Sequence, residues 1–274
     1  MSQTYGSTWQ TLANPFLNAT DTSEVITSHV SGRSTDITKI ITGGQSAIIM
    51  AGAPSIGKST LIRYLQRSSE AEWSWRNELA DLRDQFKLDE MHFVQIDLTP
   101  LEEITNVDQL LVPFVEQCAL ALQQAYSKEG QPVITDLKGL RELLRQISRE
   151  NPDARYFVML DTIEHLERRG MRSFDLATGA QTLQERGIAL LDHCGAIRTL
   201  VDLIDEFNNF GVLLSLESLP RPKIVDQFTH VSADLARFTT MTLPAFTWEE
   251  TTRFLSQNAE SFEANWANTF KGFG

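Results

Sequence analysis

The chain has little cysteine: only Cys118 and Cys194 occur in 274 residues. That is too few for a disulfide framework, and the two lack the paired spacing of a metal-ligand cluster. Both stand in stretches with a helical pattern, which predicts reduced thiols packed as small apolar side chains. His193 beside Cys194 makes no ligand pair either, because adjacent residues on a helix point about 100° apart and no second pair follows. No apolar run approaches the roughly eighteen residues of a membrane-spanning helix. The opening residues, polar through Asn18, lack the charged-then-apolar layout of an export signal, so the expected compartment is the cytoplasm. Positive charge is also short, with a formal net charge of −12. A surface that grips nucleic acid needs clustered Lys and Arg. The densest basic cluster, Arg168, Arg169 and Arg172, fits a solvated loop.

What is present suits a sizeable globular core: 42% of residues are hydrophobic and 22% charged. Residues 1–29 are rich in Ser, Thr, Asn and Gln and read as a polar N-terminal arm, with Trp9, Leu12 and Phe16 as candidate anchors. From residue 30 to 245 short apolar strands alternate with helical stretches. Strands are expected at 46–51, 92–98, 155–161, 211–216 and 239–243, and helices at 59–68, 107–127, 136–149 and 196–209. This alternation predicts an α/β fold, a central five-stranded and mainly parallel sheet with helices on both faces in three layers. Tyr156-Phe157-Val158-Met159-Leu160 is continuously apolar, as a doubly covered strand requires. In the helix from Val107, residues Leu110, Leu111, Phe114, Val115, Cys118 and Leu122 share one broad face, with Pro113 early in it or kinking it. Gly211 is expected to turn the chain out of the preceding helix. Thr247-Trp248-Glu249-Glu250 fits a capping box, so 246–274 reads as the start of a C-terminal helical lid or linker.

Gly52-Ala53-Pro54-Ser55-Ile56-Gly57-Lys58-Ser59 stands between the apolar Ala47-Ile48-Ile49-Met50 and a helical pattern running from Thr60 through Leu61, Ile62, Tyr64 and Leu65. Strand, glycine-bearing loop and helix are the context of a phosphate-binding P-loop. Glycines let backbone N–H groups turn inward on a polyphosphate, and the following helix presents its positive end to the same anion. Lys58 supplies a point charge for the β- and γ-phosphates, and Ser59 a hydroxyl for the Mg²⁺ that accompanies ATP.

Hydrolysis needs an acid for the magnesium shell and a group that orients water. Asp161 ends the apolar third strand and suits the first role, because parallel sheets bind ligands outside the carboxyl ends of their strands. Glu164 is the candidate for the second, with a helix-start acid as the alternative. Many hydrolytic P-loop enzymes carry glutamate directly after the aspartate, where this chain has Thr162.

With these motifs the chain resembles the signal-transducing ATPases with numerous domains (STAND), relatives of the AAA+ and origin-recognition ATPases. Three segments carry the resemblance: Val30-Ser31-Gly32-Arg33-Ser34-Thr35-Asp36-Ile37, similar to that family's Gly-Arg-Glu segment; the P-loop; and Leu160-Asp161-Thr162-Ile163-Glu164-His165-Leu166. It covers about residues 30–245 and implies an ATP-binding switch with slow Mg²⁺-dependent hydrolysis. It also implies that Gly32 and Arg33 border the base and ribose, and that nucleotide state governs a protein partner or self-association. Ser34 stands where the family has glutamate. Ser215 occupies the threonine position at the end of the fourth strand, and Glu217 the arginine position, with Arg221 as a possible substitute. Two alternatives follow: a scaffold that keeps nucleotide without turning it over, and a DNA-associated ATPase of the same core. The acidic balance opposes the latter, and no Asn-Lys-x-Asp segment supports a guanine nucleotide.

Overall fold

The structure, a computed structural model, describes residues 33–42, 47–54, 56–66, 85–104, 106–126, 133–161, 163, 166, 183–217, 234–245 and 247–249. Two compact units divide the chain: Asp36–Pro244, and Met1–Thr35 together with Ala245–Gly274.

In chain order the larger elements are α1 (Ser34–Thr42), β1 (Ala47–Ala51), α2 (Lys58–Gln66), β2 (Met91–Gln95), α3 (Leu111–Ala125), α4 (Leu137–Glu150), β3 (Arg155–Leu160), α5 (Leu183–His193), α6 (Ala196–Glu206), β4 (Phe210–Leu216) and β5 (Thr239–Thr242). The five strands form one sheet in the order β2-β3-β4-β1-β5, and every pairing is parallel. Each residue of β1 and β4 is buried, which a strand achieves only when both faces of the sheet are covered.

Alternation along the strands sorts those residues into two layers. Ile49, Val94, Tyr156, Val158, Leu160, Val212 and Leu214 belong to one apolar cluster with Phe114 and Leu122 of α3, Leu143 and Leu144 of α4, Leu190 and Leu191 of α5, and Leu200 and Leu203 of α6. Ile48, Met50, Phe93, Phe157, Met159 and Leu213 point the other way and are equally buried. There α2 packs on β2, with Leu61, Ile62, Tyr64 and Leu65 buried. The edge strand β5 is largely exposed.

The observed elements differ from expectation in a few places. The stretch expected as one helix over 107–127 is a 3₁₀ turn, Val107–Gln109, followed by α3. Pro113 falls in the first turn of α3, where its missing N–H costs no intrahelical bond. The helix expected to reach 209 stops at Glu206, and Phe207 N–H closes it on Leu203 O at 2.9 Å. Gly211 therefore lies inside β4, paired with Phe157, and makes no turn. Cys194 is half-buried between α5 and α6 rather than within a helix, whereas Cys118 is buried in α3. The short helices α1 and α5 were not anticipated. In the smaller unit, Thr247 precedes the helical residues Trp248 and Glu249; the rest of the expected capping box and lid lies outside the described residues.

Candidate functional site

Chain direction locates one crevice. In chain order β1 is followed by β2 at one edge of the sheet, whereas β4 is followed by β5 at the other edge, beyond β1. Adjacent parallel strands whose connections leave in opposite directions open a crevice at their carboxyl ends. Residues 52–57 emerge from β1 at that point and α2 begins at Lys58.

The loop is held at its base from both sides. Gly52 N–H donates to Leu216 O of β4 at 3.0 Å, and Leu243 N–H, just past β5, donates to Ala51 O at 2.7 Å. A Cβ at Gly52 would lie 2.9 Å from Ile56 Cγ2 and 3.3 Å from Leu243 Cβ, so a larger residue there would have to displace Ile56 or Leu243. Gly57 has φ +95°, a backbone region that side chains other than glycine enter at a cost. Leu61 N–H then closes the first turn of α2 on Gly57 O at 2.9 Å. Lys58 Nζ bends back over the loop, donating to Gly52 O at 2.6 Å and Ala53 O at 3.1 Å. Ala53, Pro54 and Ser59 are exposed, whereas Ile56, Gly57 and Thr60 are half-buried; Ser55 lies outside the described residues.

Two further groups share this sheet edge. Asp161 follows β3 and is buried, 6% exposed. Ser215 is 3% exposed, and its hydroxyl makes no hydrogen bond among the described residues. Leu160 pairs with Leu214 and Met50 with Ser215, so position 161 continues the register beside Ser215. By alternation both side chains leave the face opposite the main apolar cluster, the face on which α2 packs. From β3 through β4 to β1 the edge therefore runs from a carboxylate through an unpartnered hydroxyl to the lysine-bearing loop.

Other sequence candidates fare differently. Arg33, just before α1 and in the smaller unit, is buried and engaged in an interaction of its own. Gly32, Thr162 and Glu164 lie outside the described residues, as do Arg168, Arg169, Arg172 and Arg221; of Ser34 only the backbone is described. Glu217 is exposed and engaged in an interaction of its own. Leu243 was missed, and its only sequence signal is an apolar residue closing a strand-like run.

No protein family matches the chain, and no curated protein matches it either. Among solved structures it is similar to the ORC2 protein of Aeropyrum pernix, described as ADPNP–ADP complexes, at 15% identity and a TM-score of 0.47. The likeness covers 84% of this chain and 52% of that one, so the chain spans about half of that protein's length. At that level it bears on neither ligand nor activity.

Proposed function

We propose that the chain binds ATP with Mg²⁺ in the loop from Gly52 to Ser59 and hydrolyses it slowly, acting as a nucleotide-controlled switch of the STAND type. The observation that carries this reading is the glycine-bounded loop at the crevice between β1 and β4, with Asp161 and the orphaned Ser215 hydroxyl on the same edge and face.

The donor set suits the ligand. Backbone N–H groups at the start of α2 favour an anion, and Lys58 exchanges its loop carbonyls for phosphate oxygens. The Ser59 hydroxyl and Asp161 carboxylate are the hard oxygen ligands that Mg²⁺ takes, and a cation bound there would neutralise charge between the β- and γ-phosphates. Gly52, Ala53, Pro54, Ser55, Ile56, Gly57 and Thr60 form the cradle. Ser215, buried beside Asp161, has a free hydroxyl to donate toward the terminal phosphate. Glu164, three residues after Asp161, orients water, and Gly32 with Arg33 border the base and ribose, as the family resemblance implies.

A ligand shifts a two-state equilibrium only by its differential affinity, so the γ-phosphate must be held differently in the two states of the switch. Self-association or a protein partner then reads the nucleotide state. Thr162 directly after Asp161, and Glu217 in place of arginine, favour a second reading in which nucleotide is a retained structural ligand; release of inorganic phosphate in a single-turnover assay contradicts it.

Lys58→Ala is expected to weaken ATP binding by about tenfold or more, since a charge-assisted contact contributes roughly 1.5–3 kcal/mol, without unfolding the protein. Titration calorimetry beside a melting curve checks this, and unchanged affinity would contradict the site.

A further inference from the structure

Helix α5 approaches the Asp161 segment backbone to backbone. Gly187, midway along α5, is buried against Ile163. A Cβ at Gly187 would lie 2.4 Å from Ile163 O, 2.8 Å from Ile163 Cγ2 and 3.0 Å from the Ile163 carbonyl carbon. Ile163 is fully buried two residues after Asp161, and Leu166 is buried beyond it. Both join Ile188, Leu190 and Leu191 of α5 in the main apolar cluster. Continuing the alternation of β3 by one residue places Asp161 on the opposite face of the sheet. The segment is therefore anchored on α5 through its apolar residues while its carboxylate reaches the nucleotide edge.

Glycine inside a helix costs about 1 kcal/mol relative to alanine. Here the helix gains a close approach that no other residue allows. A backbone carbonyl cannot rotate away from an added methyl as a side chain would, so relief must change the spacing between α5 and the segment bearing Asp161.

We propose that Gly187 is a positioning residue for Asp161: α5 sets where the carboxylate stands relative to the Gly52–Ser59 loop, and a shift of α5 is felt as a change in magnesium-dependent nucleotide binding. This rests on the nucleotide-site reading above.

The test measures ATP affinity by calorimetry in Mg²⁺ and in EDTA, for the unmodified protein, Gly187→Ala, Asp161→Asn and the double variant, with a melting curve for each. Gly187→Ala is expected to lose about 10- to 100-fold of the Mg²⁺-dependent tightening, the usual cost of disturbing a group that orients a metal ligand, while affinity in EDTA stays. In the Asp161→Asn background it should cost nothing further, because coupled residues are non-additive. A folded Gly187→Ala protein with the unmodified Mg²⁺-to-EDTA ratio overturns the proposal, whatever its melting temperature. Should that variant fail to fold, Ile163→Ala, which removes the Cγ2 contact, carries the same expectation and the same overturning result. Absence of any Mg²⁺ effect in the unmodified protein contradicts the site reading itself, an outcome distinct from failure confined to Gly187→Ala.

Discussion

Ser215 separates stability from function at the scale of one residue. A buried hydroxyl without a partner carries a desolvation penalty of about 1–3 kcal/mol, and Ser215 Oγ has none among the described residues. Ser215→Ala is therefore expected to leave the nucleotide-free protein as stable or more stable in a urea titration, and to reduce the stabilisation added by Mg²⁺ and ATP. A clear loss of stability without nucleotide would mean that the hydroxyl is bonded in the fold. The residues of this edge were unequally legible in the sequence. Gly52 to Ser59 form a contiguous pattern, and Asp161 ends an apolar run, so both stand out locally. Gly187 and Leu243 act on residues far away in sequence, and a lone glycine in a helical stretch carries no mark of what it touches.

At the scale of elements, helix ends and crossovers show what is local and what is not. Asp136 caps α4, its Oδ1 accepting from Gly139 N–H at 2.6 Å. Asp136→Ala is expected to cost about 1 kcal/mol, the usual value of an N-cap, with ATP affinity unchanged; chemical denaturation and calorimetry check the two halves. Asp136 is not among the residues assigned to the site, so a large change in ATP affinity would contradict that assignment. Arg141 and Arg145 of α4 reach Glu206 of α6 at 2.8 and 2.7 Å, half-exposed pairs that set orientation more than stability. The inner strands β1, β3 and β4 were readable because buried parallel strands are almost continuously apolar. The helices α1 and α5 were not, and in α5 Gly187 interrupts the helical propensity. α3 was expected too long because its apolar face extends back through Leu110, while the backbone there is a tighter turn.

For the whole molecule, strand order converts separated motifs into one edge. Residues 52–59, 161 and 215 are far apart in the chain, and only the order β3-β4-β1 makes them neighbours. Periodicity predicts parallel strands but not which strands lie side by side, so Ser215 could be named from the family resemblance while its place between acid and lysine emerged only with the fold. The net charge of −12 disfavours a polyphosphate at the general surface, so affinity is expected from the crevice, with Lys58 contributing a counter-charge. The most direct test is a crystal structure with Mg²⁺ and a non-hydrolysable ATP analogue. The expected result has the polyphosphate within the Gly52–Ser59 loop, Lys58 Nζ transferred from Gly52 O and Ala53 O to phosphate oxygens, and Asp161 facing the cation. Nucleotide bound elsewhere, with Lys58 still held by those two carbonyls, would contradict it.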